Sequence, residues 1–244
     1  MPDTGERWTS VRLLVIRHAD PDYAADAITE RGRREADALA AWLSSQDVTH
    51  VFTSPMGRAR QTARPTAAAT GLRPHVLPWT AELRMVKVAD SLGGVGPVWN
   101  LPGELVRGGR DLPTTVDWDR LPALTGYDFR ARFEQLRRDS DAFLAELGYR
   151  RENGVYRAAA PDEDVVAVFC HAGFGLAWLA HLLALPLTLT WCGLYLAPTS
   201  VTTVLMERRS PGLAVPRALA IGDTSHLRAA GLTDSTRGLT ANSR

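Results

Sequence analysis

The sequence predicts an α/β fold, a three-layer α/β/α sandwich around a mostly parallel central sheet. Residues 13–16 and 165–169 are apolar runs typical of strands that are buried on both faces. Segments with apolar residues at helical spacing alternate with these runs and with shorter candidate strands. The chain has 244 residues, of which 45% are hydrophobic, and this is enough for one large domain.

The first third of the chain predicts strand, helix, strand, helix and strand in turn. After the strand at residues 13–16 comes a polar loop, and Thr29 is a typical N-cap for a helix whose apolar residues recur through Leu43. Residues 50–53 predict a short strand. Residues 57–69 predict a second helix that ends at Gly71. A third strand is expected at residues 75–77.

Residues 85–125 interrupt this alternation. Glycine and proline recur throughout the segment, and Trp99 and Trp118 lie within it. So long an irregular piece is typical of a functional lid, but a loop packed down by its aromatic residues fits equally well. We therefore expect a single domain over residues 1–244 with a cap insertion at about 85–125.

Regular structure returns in the second half. An apolar stripe predicts a helix over residues 127–147, and a helix that is apolar nearly all round is expected at residues 174–185. Strands at residues 201–206 and 217–221 would complete the sheet, and the polar tail from Ala230 is expected to be frayed. His171, His181 and Pro186 interrupt the apolar stretch 165–189, which favours a strand, turn and buried helix over a membrane span.

The composition argues against several partners. A formal net charge of +1 leaves no basic excess for a nucleic-acid surface. The two cysteines, Cys170 and Cys192, and a first ten residues without an apolar core indicate a cytoplasmic protein that does not bind membranes. No spacing resembles CxxC or HExxH, so we expect neither a metal nor another cofactor.

Polar residues follow both of the long buried strands. Arg17 and His18 come after the first strand, and Cys170 and His171 close the later one. Ligands bind beyond the carboxyl ends of strands in such sheets, so we expect both pairs at one edge. Arg58 opens the second helix, where an anion is favoured. Each residue also has a structural explanation: His171 as a core histidine, Arg58 as an exposed arginine and Cys170 as an inert buried thiol.

Three motifs in this order resemble the histidine phosphatase (phosphoglycerate-mutase-like) superfamily. They are Arg17-His18-Ala19, Ser54-Pro55-Met56-Gly57-Arg58-Ala59-Arg60-Gln61-Thr62-Ala63 and Phe169-Cys170-His171-Ala172-Gly173. The middle motif is the most specific. Ala19 stands where many members have glycine. The residues after Asp20 differ from those of the glycolytic mutases, and Ala172 replaces the aspartate of the acid-phosphatase branch. The last two departures favour the smaller phosphatases.

The resemblance implies a metal-independent phosphomonoesterase that acts on a small phosphorylated metabolite. His18 would be the nucleophile and form a phosphohistidine. The phosphate-binding side chains would be those of Arg17, Arg58 and His171. Glu82 would donate the proton to the leaving oxygen, with Asp20 as a weaker substitute.

Other functions and the substrate stay open at this point. A phosphoglycerate-type phosphomutase and a non-catalytic phosphate-ester-binding protein are the alternatives. Trp99 and Trp118 suit an organic phosphate, and Asp22 and Tyr23 are candidates for the entrance of the site. The residues that could recognise a second anionic group are Arg84, Lys87, Arg107 and Arg110. The oligomeric state is undetermined, with a homodimer as one option.

Overall fold

The computed structural model describes residues 10–83, 87–89, 94–158 and 163–239. The strands are β1 Arg12–Arg17, β2 Pro21–Asp22, β3 Ala27–Ile28, β4 His50–Thr53, β5 His75–Val76, β6 Lys87–Ala89, β7 Val95–Pro97, β8 Tyr149–Glu152, β9 Val155–Ala158, β10 Val165–Cys170, β11 Val201–Ser210 and β12 Leu213–Asp223. The α-helices are α1 Glu30–Leu43, α2 Gly57–Thr70, α3 Gly103–Arg107, α4 Phe129–Glu146, α5 Ala172–Leu182, α6 Leu187–Gly193 and α7 Ser225–Ala229. Short 3-10 helices lie at Pro78–Thr80, Val98–Asn100 and Pro122–Leu124.

The main sheet has the strand order β5-β4-β10-β1-β11-β12-β9-β8 across the described residues. Strands β5, β4, β10 and β1 run parallel to one another. Strands β11, β12, β9 and β8 extend the sheet by antiparallel pairing. The α/β class is confirmed, and both predicted polar strand ends belong to the parallel half.

The two faces of β1 bury different cores, because successive side chains of a strand point to opposite faces. Leu14 and Ile16 pack with residues of α1 and α2 on one face. Leu13 and Val15 belong to the larger cluster on the other face, which includes residues of α4, α5 and α6. Every residue from Leu13 to Ile16 is buried, as a strand covered on both sides requires.

The predicted ends of the first two helices are confirmed by their caps. The Thr29 side chain accepts a hydrogen bond from the Gly32 N–H at the start of α1. Gly71 ends α2 with a φ of 71°, the left-handed conformation that glycine adopts at low cost. Helix α5 ends at Leu182, earlier than the predicted residue 185, and Ala184 follows with a φ of 53°.

The described part of the segment 85–125 is packed onto the domain and carries short elements of its own. Trp118 is buried, and its ring packs edge-on against Phe133 and Trp191. Val98, Val106 and other apolar residues of the segment join the same core cluster. The aromatic packing of the described residues is that expected for a loop packed onto the domain by its aromatic residues. A lid function stays a prediction.

The expectation of a frayed tail is wrong for residues 230–239. The Thr233 carbonyl oxygen accepts a hydrogen bond from Arg31, and the Ser235 hydroxyl donates one to Asp20. The Arg237 carbonyl oxygen accepts one from Arg17. The polar composition predicted a tail in contact with solvent, whereas polar groups of the tail pair with the buried Asp20 and Arg17 of the domain.

Helix α5 is the apolar helix that the sequence places after the strand at residues 165–169. It is enclosed in the core, with ten of its residues buried. None of the helices in the described ranges has the combination of length and apolar character needed to cross a membrane.

Candidate active site

The candidate site lies where β1 and β10 end together. The two strands are parallel with Arg17 in register with Cys170, so His18 and His171 leave the sheet side by side. The His18 N–H donates to the Cys170 carbonyl oxygen at 2.9 Å, and the two imidazole centroids are 5.2 Å apart. Both histidines are buried. The predicted meeting of the two strand ends is therefore confirmed.

The hydrogen bond of His18 determines which ring nitrogen is free. Its Nδ1 lies 2.8 Å from the Ala19 carbonyl oxygen, which only accepts, so Nδ1 carries the proton in the neutral ring. The lone pair is then on Nε2. Burial, Arg17 and His171 lower the pKa of His18 well below its usual value. A neutral imidazole with an unprotonated Nε2 is the form that can act as a nucleophile.

Arg17 is buried at the same strand end with a fixed guanidinium. Its Nη1 donates to the Leu196 carbonyl oxygen at 2.5 Å, and its Nη2 donates to the Arg237 carbonyl oxygen at 2.9 Å. Its Nε has no hydrogen-bond partner among the described residues. The Tyr195 ring lies 5.9 Å from the Arg17 Cζ. Two carbonyl anchors hold the cation beside His18.

Arg58 stands in the first turn of α2 and is also buried. Its Nη1 forms an ion pair of 2.6 Å with Asp26, whose other carboxylate oxygen accepts from the Gly57 N–H at 2.6 Å. Met56 precedes the helix without a side-chain cap, so Asp26 caps α2 from a distant loop. The Arg58 Nε is buried without a partner in the described structure.

His171 is oriented by the motif serine of the central segment. Its Nε2 lies 2.7 Å from the Ser54 hydroxyl, which also accepts from the Met56 N–H at 3.3 Å. Its Nδ1 is buried and unpaired with respect to the described residues. Burial, Arg58 and Arg17 lower the pKa of His171 well below its usual value. We call Arg17, His18, Arg58 and His171 together the phosphate pocket, after the role that the sequence predicts for them.

Glu82 lies against the start of α5, next to His171. Its carboxylate accepts from the backbone N–H groups of Gly173 at 3.2 Å and Phe174 at 2.8 Å. Burial raises the pKa of Glu82, and these hydrogen bonds oppose the rise. A β-carbon on Gly173 would lie 2.6 Å from the Trp99 ring and 2.9 Å from the carboxylate, so this contact requires glycine.

Asp20, the substitute for Glu82, is engaged elsewhere. One carboxylate oxygen accepts from the Thr29 hydroxyl at 2.8 Å, and the other accepts from the Ser235 hydroxyl at 2.9 Å. Asp22 accepts from the N–H groups of Ala24 and Ala25, so its carboxylate supports its own turn. Glu82, bonded to the start of α5, therefore stays the predicted proton donor.

Tyr23 lies next to two residues of the phosphate pocket. Its side chain is exposed, and its ring lies 5.6 Å from the Arg58 Cζ and 6.3 Å from the His18 ring. Trp99 contacts the start of α5 at Gly173. Trp118 is buried in the core. Of the two predicted tryptophans, only Trp99 adjoins the site.

The recognition of a second anionic group by Arg84, Lys87, Arg107 or Arg110 stays a prediction. Lys87, Arg107 and Arg110 are exposed, and Arg84 lies outside the described residues. The charged groups that shift the pKa of His171 are Arg58 and Arg17. Within the described ranges, no group of three or more His, Cys, Asp or Glu side chains is placed to hold a metal ion.

Comparison with known proteins gives this geometry a family context. Residues 13–90 match the family model of the histidine phosphatase superfamily, branch 1. The resemblance to histidine phosphatases is confirmed. The match includes the first two of the three motifs, and the sheet places the third beside them.

Curated relatives match over a limited part of their length. A probable phosphoglycerate mutase GpmB of Yersinia enterocolitica is 32% identical over 84 residues, which are 31% of this chain and 39% of that protein. A protein of the same name from Serratia proteamaculans is 30% identical over 91 residues, 34% of this chain and 42% of its own length. The chain thus spans about two-fifths of the curated relatives that it matches.

Solved structures share the fold over most of the chain. The phosphoserine phosphatase of Entamoeba histolytica, in complex with 3-phosphoglyceric acid, aligns with a TM-score of 0.58 and 17% identity, covering 89% of this chain and 99% of that one. A mycobacterial glucosyl-3-phosphoglycerate phosphatase aligns with a TM-score of 0.56 and 19% identity, covering 87% and 99%. At these identities the likeness is one of fold alone.

Sequence reasoning missed two contributors to this site. Asp26 belongs to none of the three motifs, and no signal in the sequence links a loop aspartate to Arg58. Ser54 was part of the central motif without a role, and its bond to His171 depends on β4 lying next to β10. A hydroxyl directly after a strand, beside a second strand that ends in histidine, was a usable signal.

Proposed function

We propose that this protein is a metal-independent phosphomonoesterase that hydrolyses a small phosphorylated metabolite through a phosphohistidine on His18. The observation that carries the proposal is the state of His18. Its Nδ1 is tied to the Ala19 carbonyl oxygen, its pKa is lowered, and Arg17, Arg58 and His171 surround it. A free Nε2 among anion-binding groups is suited to attack phosphorus.

The first step transfers the phosphoryl group to the protein. The phosphate oxygens are held by Arg17, Arg58 and His171, and each arginine about 4 Å away contributes roughly 4 kcal/mol of attraction at an effective dielectric constant near 20, before desolvation is counted. The His18 Nε2 attacks phosphorus as the bond to the leaving oxygen breaks. Glu82 supplies the proton to that oxygen, and its raised pKa keeps the acid form available.

The second step regenerates the protein. Glu82, now ionised, takes a proton from water, and the resulting oxygen attacks the phosphohistidine. The phosphorus–nitrogen bond breaks and inorganic phosphate leaves. The α5 N–H groups of Gly173 and Phe174 stabilise the ionised Glu82 between the steps.

Hydrolysis of p-nitrophenyl phosphate tests this proposal. We expect phosphate release by the unmodified protein, no effect of EDTA, and loss of release to background for His18→Ala with an unchanged circular dichroism spectrum. Strong inhibition by EDTA, or activity in the folded His18→Ala variant, would contradict the proposal.

A phosphoglycerate-type phosphomutase is the second candidate, because the curated relatives are named probable phosphoglycerate mutases. In that reaction the phosphoryl group returns to the substrate instead of passing to water. Incubation with 3-phosphoglycerate separates the two, since a mutase forms 2-phosphoglycerate and a phosphatase releases phosphate. A non-catalytic binding protein would retain the ester unchanged.

The partners, the location and the assembly of the protein are also part of the proposal. We infer a small phosphate ester as the partner and propose that neither nucleic acids nor membranes are partners. The two free cysteines, Cys170 and Cys192, support a cytoplasmic location. The homodimer stays one option for its assembly.

A further inference from the structure

Asp26 is a carboxylate at the phosphate pocket that the proposed reaction does not use. It forms a 2.6 Å ion pair with the Arg58 Nη1 and accepts the Gly57 N–H at 2.6 Å. The Arg58 side chain is 7% exposed, whereas that of Asp26 is 43% exposed, so the carboxylate stands on the solvent side of the arginine. The Asp26 carboxylate therefore lies on the outer side of the phosphate pocket, next to Arg58.

The backbone holds Asp26 in this place. Its φ is 47°, in the left-handed region that aspartate, asparagine and glycine tolerate best. A β-carbon on Gly57 would lie only 2.2 Å from the Asp26 carbonyl oxygen, so residue 57 must be glycine for the loop to approach α2 this closely. The side chain of Asp26 is thus directed at Arg58 and Gly57 by the conformation of the loop.

The groups that Asp26 occupies are those that a further substrate anion would use. The Arg58 Nη1 and the Gly57 N–H at the start of a 14-residue helix together favour an anion, and Asp26 supplies it. Asp26 neutralises both, and a second negative charge beside it would be repelled. The cations that lower the pKa of His171 are Arg58 and Arg17, and Asp26 pairs with the first of them.

We propose that Asp26 is a specificity-determining residue that fills a second anion position beside the phosphate pocket. The site then takes phosphate monoesters whose alcohol part carries no carboxylate or second phosphate. This inference rests on the proposed phosphatase function and narrows its substrate class. It also disfavours the mutase alternative, because 3-phosphoglycerate carries a carboxylate.

The neighbouring side chains suit such an alcohol. The exposed ring of Tyr23 lies next to Arg58 and His18, and Trp99 lies against Gly173 beside Glu82. Both rings offer apolar surface on which an uncharged organic group can pack. The rings of Tyr23 and Trp99 and the carboxylate of Asp26 therefore favour the same substrates, phosphate monoesters of an uncharged alcohol.

Ethyl phosphate and phosphoglycolate form a matched pair for the test, because they share a two-carbon alcohol part and only the second has a carboxylate. We expect kcat/KM of the unmodified protein to favour ethyl phosphate by about tenfold or more. Asp26→Asn removes the charge, and Asp26→Gly also empties the position while suiting its φ. Each should reduce the preference by about fivefold or more, with the larger effect in Asp26→Gly.

Glu152→Gln is the matched control, because Glu152 is also a carboxylate paired with an arginine, on β8 away from the site. It should leave the preference unchanged. The inference is overturned if the Asp26 variants keep the original preference. It is equally overturned if both substrates lose the same factor, since Asp26 would then only hold Arg58 in place.

Binding separates this inference from the proposed function. Dissociation constants of both esters are measured by calorimetry in the His18→Ala background, with and without the Asp26 substitutions. If the unmodified protein hydrolyses neither ester, nor p-nitrophenyl phosphate, the phosphatase proposal fails. The ratio of the two dissociation constants still tests Asp26. The Asp26 substitutions should reduce the binding preference for ethyl phosphate over phosphoglycolate, and an unchanged preference overturns the inference.

Discussion

At the residue scale, the site depends on where two protons are held. The Ala19 carbonyl oxygen keeps one on His18 Nδ1, and burial favours the acid form of Glu82. The sequence predicted the residue types of the site but not these protonation states. The motifs indicated His18, Arg58 and His171, but the tautomer of His18 follows from a backbone carbonyl whose direction no motif records.

Glu82→Gln tests the proton donor. We expect kcat for ethyl phosphate to fall by about 10²–10⁴-fold, because its alkoxide leaves poorly without a proton. The rate of the initial p-nitrophenol burst should fall by less than about tenfold, because that leaving group needs little protonation. Stopped-flow and steady-state rates compare the two. Equal losses in both would show that Glu82 is not the acid.

The pH dependence of the ethyl phosphate reaction follows from the same group. Because the pKa of Glu82 is raised and its protonated form is required, kcat/KM should fall as the pH increases through that raised pKa. The falling limb should disappear from the pH profile of Glu82→Gln. A limb that persists unchanged in the variant would belong to another group.

Gly173→Ala tests the close approach of Trp99 and Glu82 to α5. The added methyl group would meet both, so Glu82 must leave the N–H groups that it accepts from. We expect kcat for ethyl phosphate to fall by about tenfold or more. Gly193→Ala is the control, because a β-carbon there has nothing within 4 Å. Similar rates in both variants would contradict this reading of the site.

At the scale of elements, the parallel pair β1 and β10 determines the site. Their apolar sequences predicted both strands, and the rule for parallel sheets predicted that their ends would meet. The hairpin of β8 and β9 was missed, although Asn153 and Gly154 are a typical turn pair and Asn153 has a φ of 55°. The polar tail was misjudged because its contacts are with residues far away in sequence.

Removal of the tail tests its part in holding Arg17. A chain that ends at Ala230 loses the Arg237 carbonyl oxygen, and we expect the Kd for inorganic phosphate to increase by about fivefold, the effect of one hydrogen bond. A chain that ends at Leu239 keeps the contact and should bind as the full chain does. Ser235→Ala, which removes the bonds of the Ser235 hydroxyl to Asp20 and to the Arg237 N–H, provides a milder variant if the shorter chain unfolds.

No change in phosphate binding after tail removal, in a chain that remains folded, would show that the Leu196 carbonyl oxygen alone is sufficient to hold Arg17. Isothermal titration at pH 7.5 measures these constants, and urea unfolding checks the fold of each variant.

At the scale of the whole molecule, buried neutral histidines connect stability to pH. Burial lowers the pKa of His226 to about 4, and its Nε2 lies 3.2 Å from the Thr199 hydroxyl. The pKa values of His18, His171 and His181 are lowered too. In the unfolded chain these groups titrate near 6.5, so acid favours the unfolded state.

His226→Gln tests this coupling. The contribution of His226 is fully present above pH 6.5 and is lost as the pH falls towards 4, by up to about 3 kcal/mol. Glutamine can keep a bond to Thr199 without titrating. Urea unfolding at pH 7.5 and pH 5 should show a smaller loss of unfolding free energy in the variant. An equal loss in both proteins would exclude His226 as a cause.

The central claim is that His18 carries the phosphoryl group. Rapid quenching in alkaline detergent during turnover of ³²P-labelled p-nitrophenyl phosphate, followed by peptide mapping at alkaline pH, tests it most directly. We predict an acid-labile, base-stable phosphopeptide that contains His18, accumulates to a higher level in Glu82→Gln, and is absent in His18→Ala. Steady hydrolysis without a labelled peptide, or label on another residue, would contradict the account.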